Sequence, residues 1–147
     1  MCTHSEDEPL GRLIYHMAQD LGNYAEKILN PFELTLEQLH VIKTLPLNQG
    51  MTQKDIGAAV NKTPANMTRL LDRLEEKNLI ERRRNPEDRR ATLVFITKNG
   101  TKMTEKVTKI LEAFSAKFLQ GVTDREQQII RTAFSKMTAN LQKIKNS

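Results

Sequence analysis

The chain has 147 residues, 38% of them hydrophobic and 28% charged, which is enough apolar material for one compact unit or a small domain with helical extensions. No apolar run of about 18 residues is present to span a membrane, the lone cysteine excludes an internal disulfide, and the polar, acidic start MCTHSEDEP lacks the apolar core of a signal peptide, so a cytoplasmic protein is expected. The net charge of +5 is modest and its placement matters more than its size; aromatic residues at 5% with no Trp disfavour a base-stacking RNA-binding sheet.

Residues 1–8 are expected to form a flexible tail, with Pro9 opening the first helix. Leu10, Leu13, Ile14, Met17, Leu21, Ala25, Ile28 and Leu29 recur in steps of three and four and define one apolar stripe, long enough to meet more than one partner. Asn30-Pro31 ends this helix. Thr35 and Gln38 have the spacing of a capping box for a second helix, whose Leu36, Leu39, Ile42 and Leu45 point inward before Pro46 stops it. Residues 47–51 form a connector with room for one short strand.

Thr52 is a suitable N-cap for a short third helix in which Ile56 and Val60 share a face and the small Gly57 and Ala58 allow close approach. Asn61 tolerates the left-handed backbone that a sharp turn requires. Thr63-Pro64 then opens a fourth helix. Its buried face is Met67, Leu70, Leu71 and Leu74, and its other side shows Ala65, Asn66, Thr68, Arg69, Asp72 and Arg73. That side is small, polar and basic towards the N-terminus, as suits entry into a DNA groove. Asn78 is a left-handed helix end.

Residues 79–84 and 91–96 read as two strands around a turn at Asn85-Pro86-Glu87-Asp88. Arg82, Arg83, Arg84, Arg89 and Arg90 fall within nine residues of this hairpin. Two helices along a turn followed by such a hairpin make a winged helix-turn-helix. A fifth helix from Thr97 carries Met103, Val107, Ile110, Leu111, Phe114 and Phe118, and Gly121 breaks it. Thr123 and Glu126 form a second capping box for a sixth helix with Ile129, Ile130, Phe134, Met137, Leu141 and Ile144. The expected fold is therefore mainly α with a small β-wing.

No Gly-rich phosphate loop, nucleophile–base pattern or close set of metal ligands appears, so neither an enzyme nor a cofactor is expected. His4, His16 and His40 are widely separated. Cys2 has only His4 nearby, which gives little thiolate stabilisation for redox sensing.

The stretch TQKDIGAAVNKTPANMTRLLDRLEEKNLIERRRNPEDRRATLVFITKNG resembles the MarR family of bacterial transcription regulators. The specific pieces are the TPANMTRLLDRLE helix, the PEDRRA wing and the following ITKNG, and the flanking helices fall in the family's order. One departure is Asn78, where the family usually has glycine. The resemblance implies a homodimer, with residues 9–33 and 98–146 as the dimerisation region and residues 34–97 as the winged DNA-binding domain. A two-fold protein implies an inverted-repeat operator with half-sites about one helical turn apart, bound by a regulator that is most often a repressor.

In that setting Thr63, Ala65, Asn66, Thr68 and Arg69 are the major-groove candidates. Arg pairs with guanine and Asn with adenine, Ala65 can meet a thymine methyl, and Thr63 and Thr68 can hold phosphates. Arg73 is a backbone contact. Arg90 is expected in the minor groove with its side chain fixed by Asp88, while Arg84 and Arg89 add phosphate contacts. Family members often release DNA when a small aromatic or phenolic effector binds near the junction of the dimer helices and the winged domain. Arg12, Tyr15, His16, Tyr24 and His40 are the candidates there. The absence of histidine from the fifth helix argues against the zinc-sensing branch. The alternative is a winged helix used as a protein-interaction module, which requires an exposed apolar face on the fourth helix.

Overall fold

A computed structural model describes residues 6–147; the readings placed on Cys2 and His4 lie outside the described residues, as does most of the expected tail. In chain order the elements are α1 (Leu10–Leu29), a single 3-10 turn (Asn30–Phe32), α2 (Leu36–Thr44), β1 (Met51–Thr52), α3 (Gln53–Val60), α4 (Pro64–Glu76), β2 (Ile80–Arg84), β3 (Thr92–Ile96), α5 (Lys98–Phe118) and α6 (Asp124–Lys145). The small sheet has the order β1-β3-β2 and is antiparallel throughout, with Met51 opposite Val94, Ile80 opposite Ile96 and Arg84 opposite Thr92. None of the described helices is long and apolar enough to cross a membrane.

Helix ends follow local chemistry. The hydroxyls of Thr35, Thr52, Thr63 and Thr123 each accept the backbone N–H three residues on, and Thr35–Gln38 and Thr123–Glu126 form complete capping boxes. Asn61 and Asn78 sit at φ 55° and 60°, in the left-handed region. The turn after α4 therefore keeps its conformation with asparagine in place of glycine, because a short polar side chain tolerates that backbone. Thr97 ties this turn to α5. Its N–H donates to the Leu79 carbonyl, its hydroxyl donates to Asn78 O, and the same hydroxyl accepts from Gly100 N at 3.0 Å. A Cβ at Gly100 would strike the Leu79 carbonyl, which explains the glycine of ITKNG.

The chain divides into two compact units, one up to Leu111 and the other Glu112–Ser147. The core of the first is built from Leu29, Leu34, Leu39, Val41, Ile42, Ile56, Met67, Leu71, Leu74, Ile80, Val94 and Val107, among others. This unit takes in α1 and most of α5 along with the winged segment, because Leu29 and Val107 are buried in the same core. The second unit contains no buried residue; in α6 Ile129, Ile130, Leu141 and Ile144 are exposed.

Details differ from simple periodicity. Asn30-Pro31 ends α1 at Leu29 as expected, and a 3-10 turn is added after it, with Pro31 in its first positions where a missing N–H costs nothing. Along α1 only Ala25 and Leu29 are buried, while Leu10 and Met17 are exposed. In α2 the polar Gln38 is buried beside Leu39, Val41 and Ile42. Its amide oxygen accepts from Thr35 N and from Lys77 Nζ, so the buried group is satisfied and α2 is tied to the end of α4. Lys77 also donates to the carbonyl of Glu33, a residue at φ 53° in the turn before α2.

Candidate nucleic-acid interface

Helix α4 turns Met67, Leu70, Leu71 and Leu74 into the core and leaves Ala65, Asn66, Thr68, Arg69, Asp72 and Arg73 exposed. Thr63 and Pro64 set the start of this helix, and the Thr63 hydroxyl accepts Asn66 N at 3.4 Å. Thr68 has a defined internal role. Its hydroxyl donates to Pro64 O at 3.1 Å and accepts Gln53 Nε2 at 2.9 Å. Its one proton is thus already engaged, which leaves none for the phosphate that sequence reasoning gave it.

The arginines of the wing fall into two groups. Arg82 is fastened to α4: its backbone N–H and Nε both donate to Glu75 Oε2 at 3.2 Å, while Nη2 reaches Glu75 Oε1 at 3.1 Å and Asp72 Oδ1 at 2.6 Å. The hydrogen bond from Arg82 holds the Glu75 carboxyl below its ordinary range, and the same bond pushes Arg82 up. Arg83 pairs with Glu81, Nε to Oε1 at 2.8 Å, and its guanidinium lies 4.5 Å from the Phe95 ring centroid. That hydrogen bond lowers the Glu81 carboxyl in turn. Two of the five clustered arginines are therefore ion-paired, Arg82 across to α4 and the exposed Arg83 to Glu81 on its own strand.

The side chains of Arg84, Arg89 and Arg90 are exposed and take no hydrogen bond or ion pair among the described residues, and the same holds for Arg69 and Arg73 on α4. The wing tip is shaped by side-chain acceptors: Asn85 Oδ1 takes Glu87 N, and Asp88 Oδ1 takes Arg90 N, both at 3.0 Å. The expectation joined Asp88 to the Arg90 guanidinium; the bond present runs to the Arg90 backbone instead. Asp88 fixes the Arg90 backbone, because a carboxylate two residues ahead in a tight turn reaches the main-chain N–H first.

The structure gathers Asn66, Arg69 and Arg73 along one cleft of about 520 Å³, to which α1 contributes Glu26 and α2 contributes Glu37 and Gln38. Glu26 also accepts the N–H of Leu36 at the start of α2. A second cleft of about 410 Å³ lies between α3 and α4, lined by Gln53, Lys54, Gly57, Lys62, Pro64 and Met67 among others. Lys62 in the turn between those helices pairs with Glu37 at 2.6 Å.

Of the residues proposed near an effector, Arg12, Tyr15 and His16 form one group on α1. Arg12 Nε lies 3.4 Å from His16 Nε2 and 3.3 Å from Glu8, and Tyr15 meets His16 edge-on with centroids 5.7 Å apart. Tyr24 on α1 and His40 on α2 are exposed, and neither cleft is lined by any of the five. Periodicity missed Gln53 and Arg82, since each acts through a partner far along the chain, 15 residues away for Gln53–Thr68 and 10 for Arg82–Asp72.

Two helices packed across a left-handed turn, with a three-stranded wing bolted to the second, define a winged helix-turn-helix protein. Comparison with known proteins makes this specific. The MarR family model matches residues 34–92. The multiple antibiotic resistance protein MarR of Salmonella typhimurium is 34% identical over 98 residues, covering 67% of this chain and 68% of that protein. The solved S. aureus MepR–DNA complex superposes with a TM-score of 0.84 at 26% identity, over 91% of this chain and 99% of that one. A mutant E. coli MarR complexed with operator DNA gives a TM-score of 0.80 at 26% identity, over 88% of this chain and 93% of its own. The chain belongs to the MarR family. Its members are transcription regulators, not enzymes.

Proposed function

We propose that this regulator binds duplex DNA sequence-specifically as a homodimer, on an inverted-repeat operator, as a repressor that a small aromatic or phenolic effector releases. The observation that carries the reading is the separation of the arginines. Arg82 and Arg83 are ion-paired with carboxylates, whereas the exposed Arg69, Arg73, Arg84, Arg89 and Arg90 on α4 and the wing have no ion pair among the described residues. A surface that keeps its cations unpaired in two neighbouring places suits a polyanion.

In this reading α4 enters the major groove by its N-terminal half. Asn66 and Arg69 read base edges, Ala65 meets a thymine methyl, and Thr63, Arg73, Arg84 and Arg89 lie along phosphates. Arg90 enters the minor groove, presented by the turn that Asp88 closes. The two solved relatives bound to DNA support this placement. Residues 9–33 and 98–146 supply the dimer contacts, for which the exposed apolar side chains of α1 and α6 are suited. Arg12, Tyr15, His16, Tyr24 and His40 remain the residues proposed to face an effector. Acting on chromosomal DNA places the protein in the bacterial cytoplasm. The alternative of a protein-interaction module needs an apolar outer face on α4; the exposed residues there are polar or charged apart from the small Pro64 and Ala65 at its start.

The test is binding to duplex DNA from the promoter beside its own gene against a scrambled duplex at about 150 mM salt, where a specific regulator shows a preference of about a thousandfold. Arg90→Ala is expected to weaken operator binding by roughly 1–3 kcal/mol without unfolding the protein. Equal, weak and salt-sensitive binding of both duplexes by the parent protein would remove the reading.

A further inference from the structure

Gln53 is the first residue of α3, half-buried and bonded to Thr68 of α4, the helix that would read the major groove in the proposed function. Its amide is oriented by proton counting. Thr68 donates its single hydroxyl proton to Pro64 O, so towards Gln53 it can only accept, and the NH2 end of the amide must face it. One N–H of Gln53 is used in this way. Among the described residues the second N–H and Oε1 take no partner. A side chain that would otherwise sample several rotamers is thereby held beside the outer ridge of α4, between Pro64 and Thr68, with a donor still unspent.

Resting on the DNA-binding reading above, we propose that Gln53 is a DNA-backbone contact: it bridges Thr68 on the recognition helix to a phosphate oxygen flanking the half-site and so sets how deeply α4 seats. In a helix-turn-helix the first helix crosses the backbone while the second fills the groove, and Gln53 stands where the first meets the second. The exposed Lys54 beside it has no ion pair among the described residues and adds positive potential there. A phosphate only accepts, which matches the one free donor. Thr68 then acts as a positioning residue, touching DNA through Gln53.

The experiment uses a duplex that the full-length protein enriches from a random-sequence library, with affinity followed by fluorescence anisotropy over a salt series. Loss of one hydrogen bond to a charged group predicts a roughly tenfold weaker complex for Gln53→Ala. That loss should be equal on the enriched duplex and on its single-base variants, because phosphates carry no sequence information. The slope of log K against log salt should not change, because a neutral amide releases no counterion. Thr68→Val should lower affinity in the same way, and the double variant should cost little more than Gln53→Ala alone. Thr68→Ser should restore binding, which a purely structural role of the methyl group would not allow. Unchanged thermal melting of each variant confirms that the fold is intact. Wild-type affinity for Gln53→Ala, a loss confined to one base pair, or strict additivity of the two losses overturns the proposal. If the parent protein enriches no duplex at all, the DNA-binding reading falls and this contact with it.

Discussion

Helices α4 and α6 are both amphipathic, yet they meet opposite fates within one chain. α4 buries Met67, Leu70, Leu71 and Leu74, each at 9% exposure or less. α6 is longer, with an equally regular apolar stripe, but Ile129 is 58% exposed, Ile130 45%, Leu141 56% and Ile144 67%. A monomeric protein rarely leaves so many large apolar side chains of one helix in water. The contrast teaches that α4 finds cover for its apolar face within its own chain, whereas the exposed apolar side chains of α6 suit a covering surface, which in the proposed assembly is another copy.

The comparison can be broken most severely at α6. Ile130→Asp puts a charge into that covering surface and is expected to reduce the particle from dimer to monomer by light scattering, with loss of the concentration dependence of melting. An Ile130→Asp protein of unchanged mass would show that α6 is not the association surface. Next in size is Leu71→Ala in α4. This side chain is fully buried, so the expected cost is about 2–5 kcal/mol. The same loss should appear at every protein concentration, since the site belongs to the core of a single chain.

The smallest expected effect lies at the seam between α4 and the wing. Glu75 is held below its ordinary carboxylate range by Arg82. Stability from this pair is therefore complete above the unfolded glutamate pKa and is lost as the pH falls through the lowered folded value. Both partners retain solvent access, so the contribution is at most about 1 kcal/mol. Arg82→Met should flatten part of the acid-side fall in melting temperature, and it should also weaken operator binding by freeing the wing from α4. Parallel melting curves against pH for the two proteins would assign the acid sensitivity elsewhere.

Much of this molecule was legible before any coordinates. The two capping boxes, the Thr63-Pro64 start of α4 and the left-handed Asn61 and Asn78 depend on residues within three or four positions of one another, and the structure has each of them. The buried face of α4 followed from the 3.6-residue period alone. Three features resisted that reading. A burial stripe on α1 marks a face able to pack, but only Ala25 and Leu29 find the core of their own chain. Gln38 breaks the hydrophobic pattern of α2 because its amide is satisfied by Thr35 and by Lys77, 39 residues away. The wing arginines look alike in sequence, with nothing local to tell Arg82 from Arg84.

Local propensity, capping and periodicity acted over a single turn of helix or one hairpin, so the order of elements and the class of fold were written in the chain itself. Availability of charge was decided only in three dimensions. A guanidinium is free or spent according to which carboxylates folding brings to within about 3 Å of it. For Arg82 these are Glu75 and Asp72 on α4, and for Thr68 the deciding neighbour is Gln53 on α3. Such pairings join residues on different elements, 7 to 15 positions apart in the chain, and they sort the same polar and basic residue types into those that tie elements together and those left exposed and unpaired.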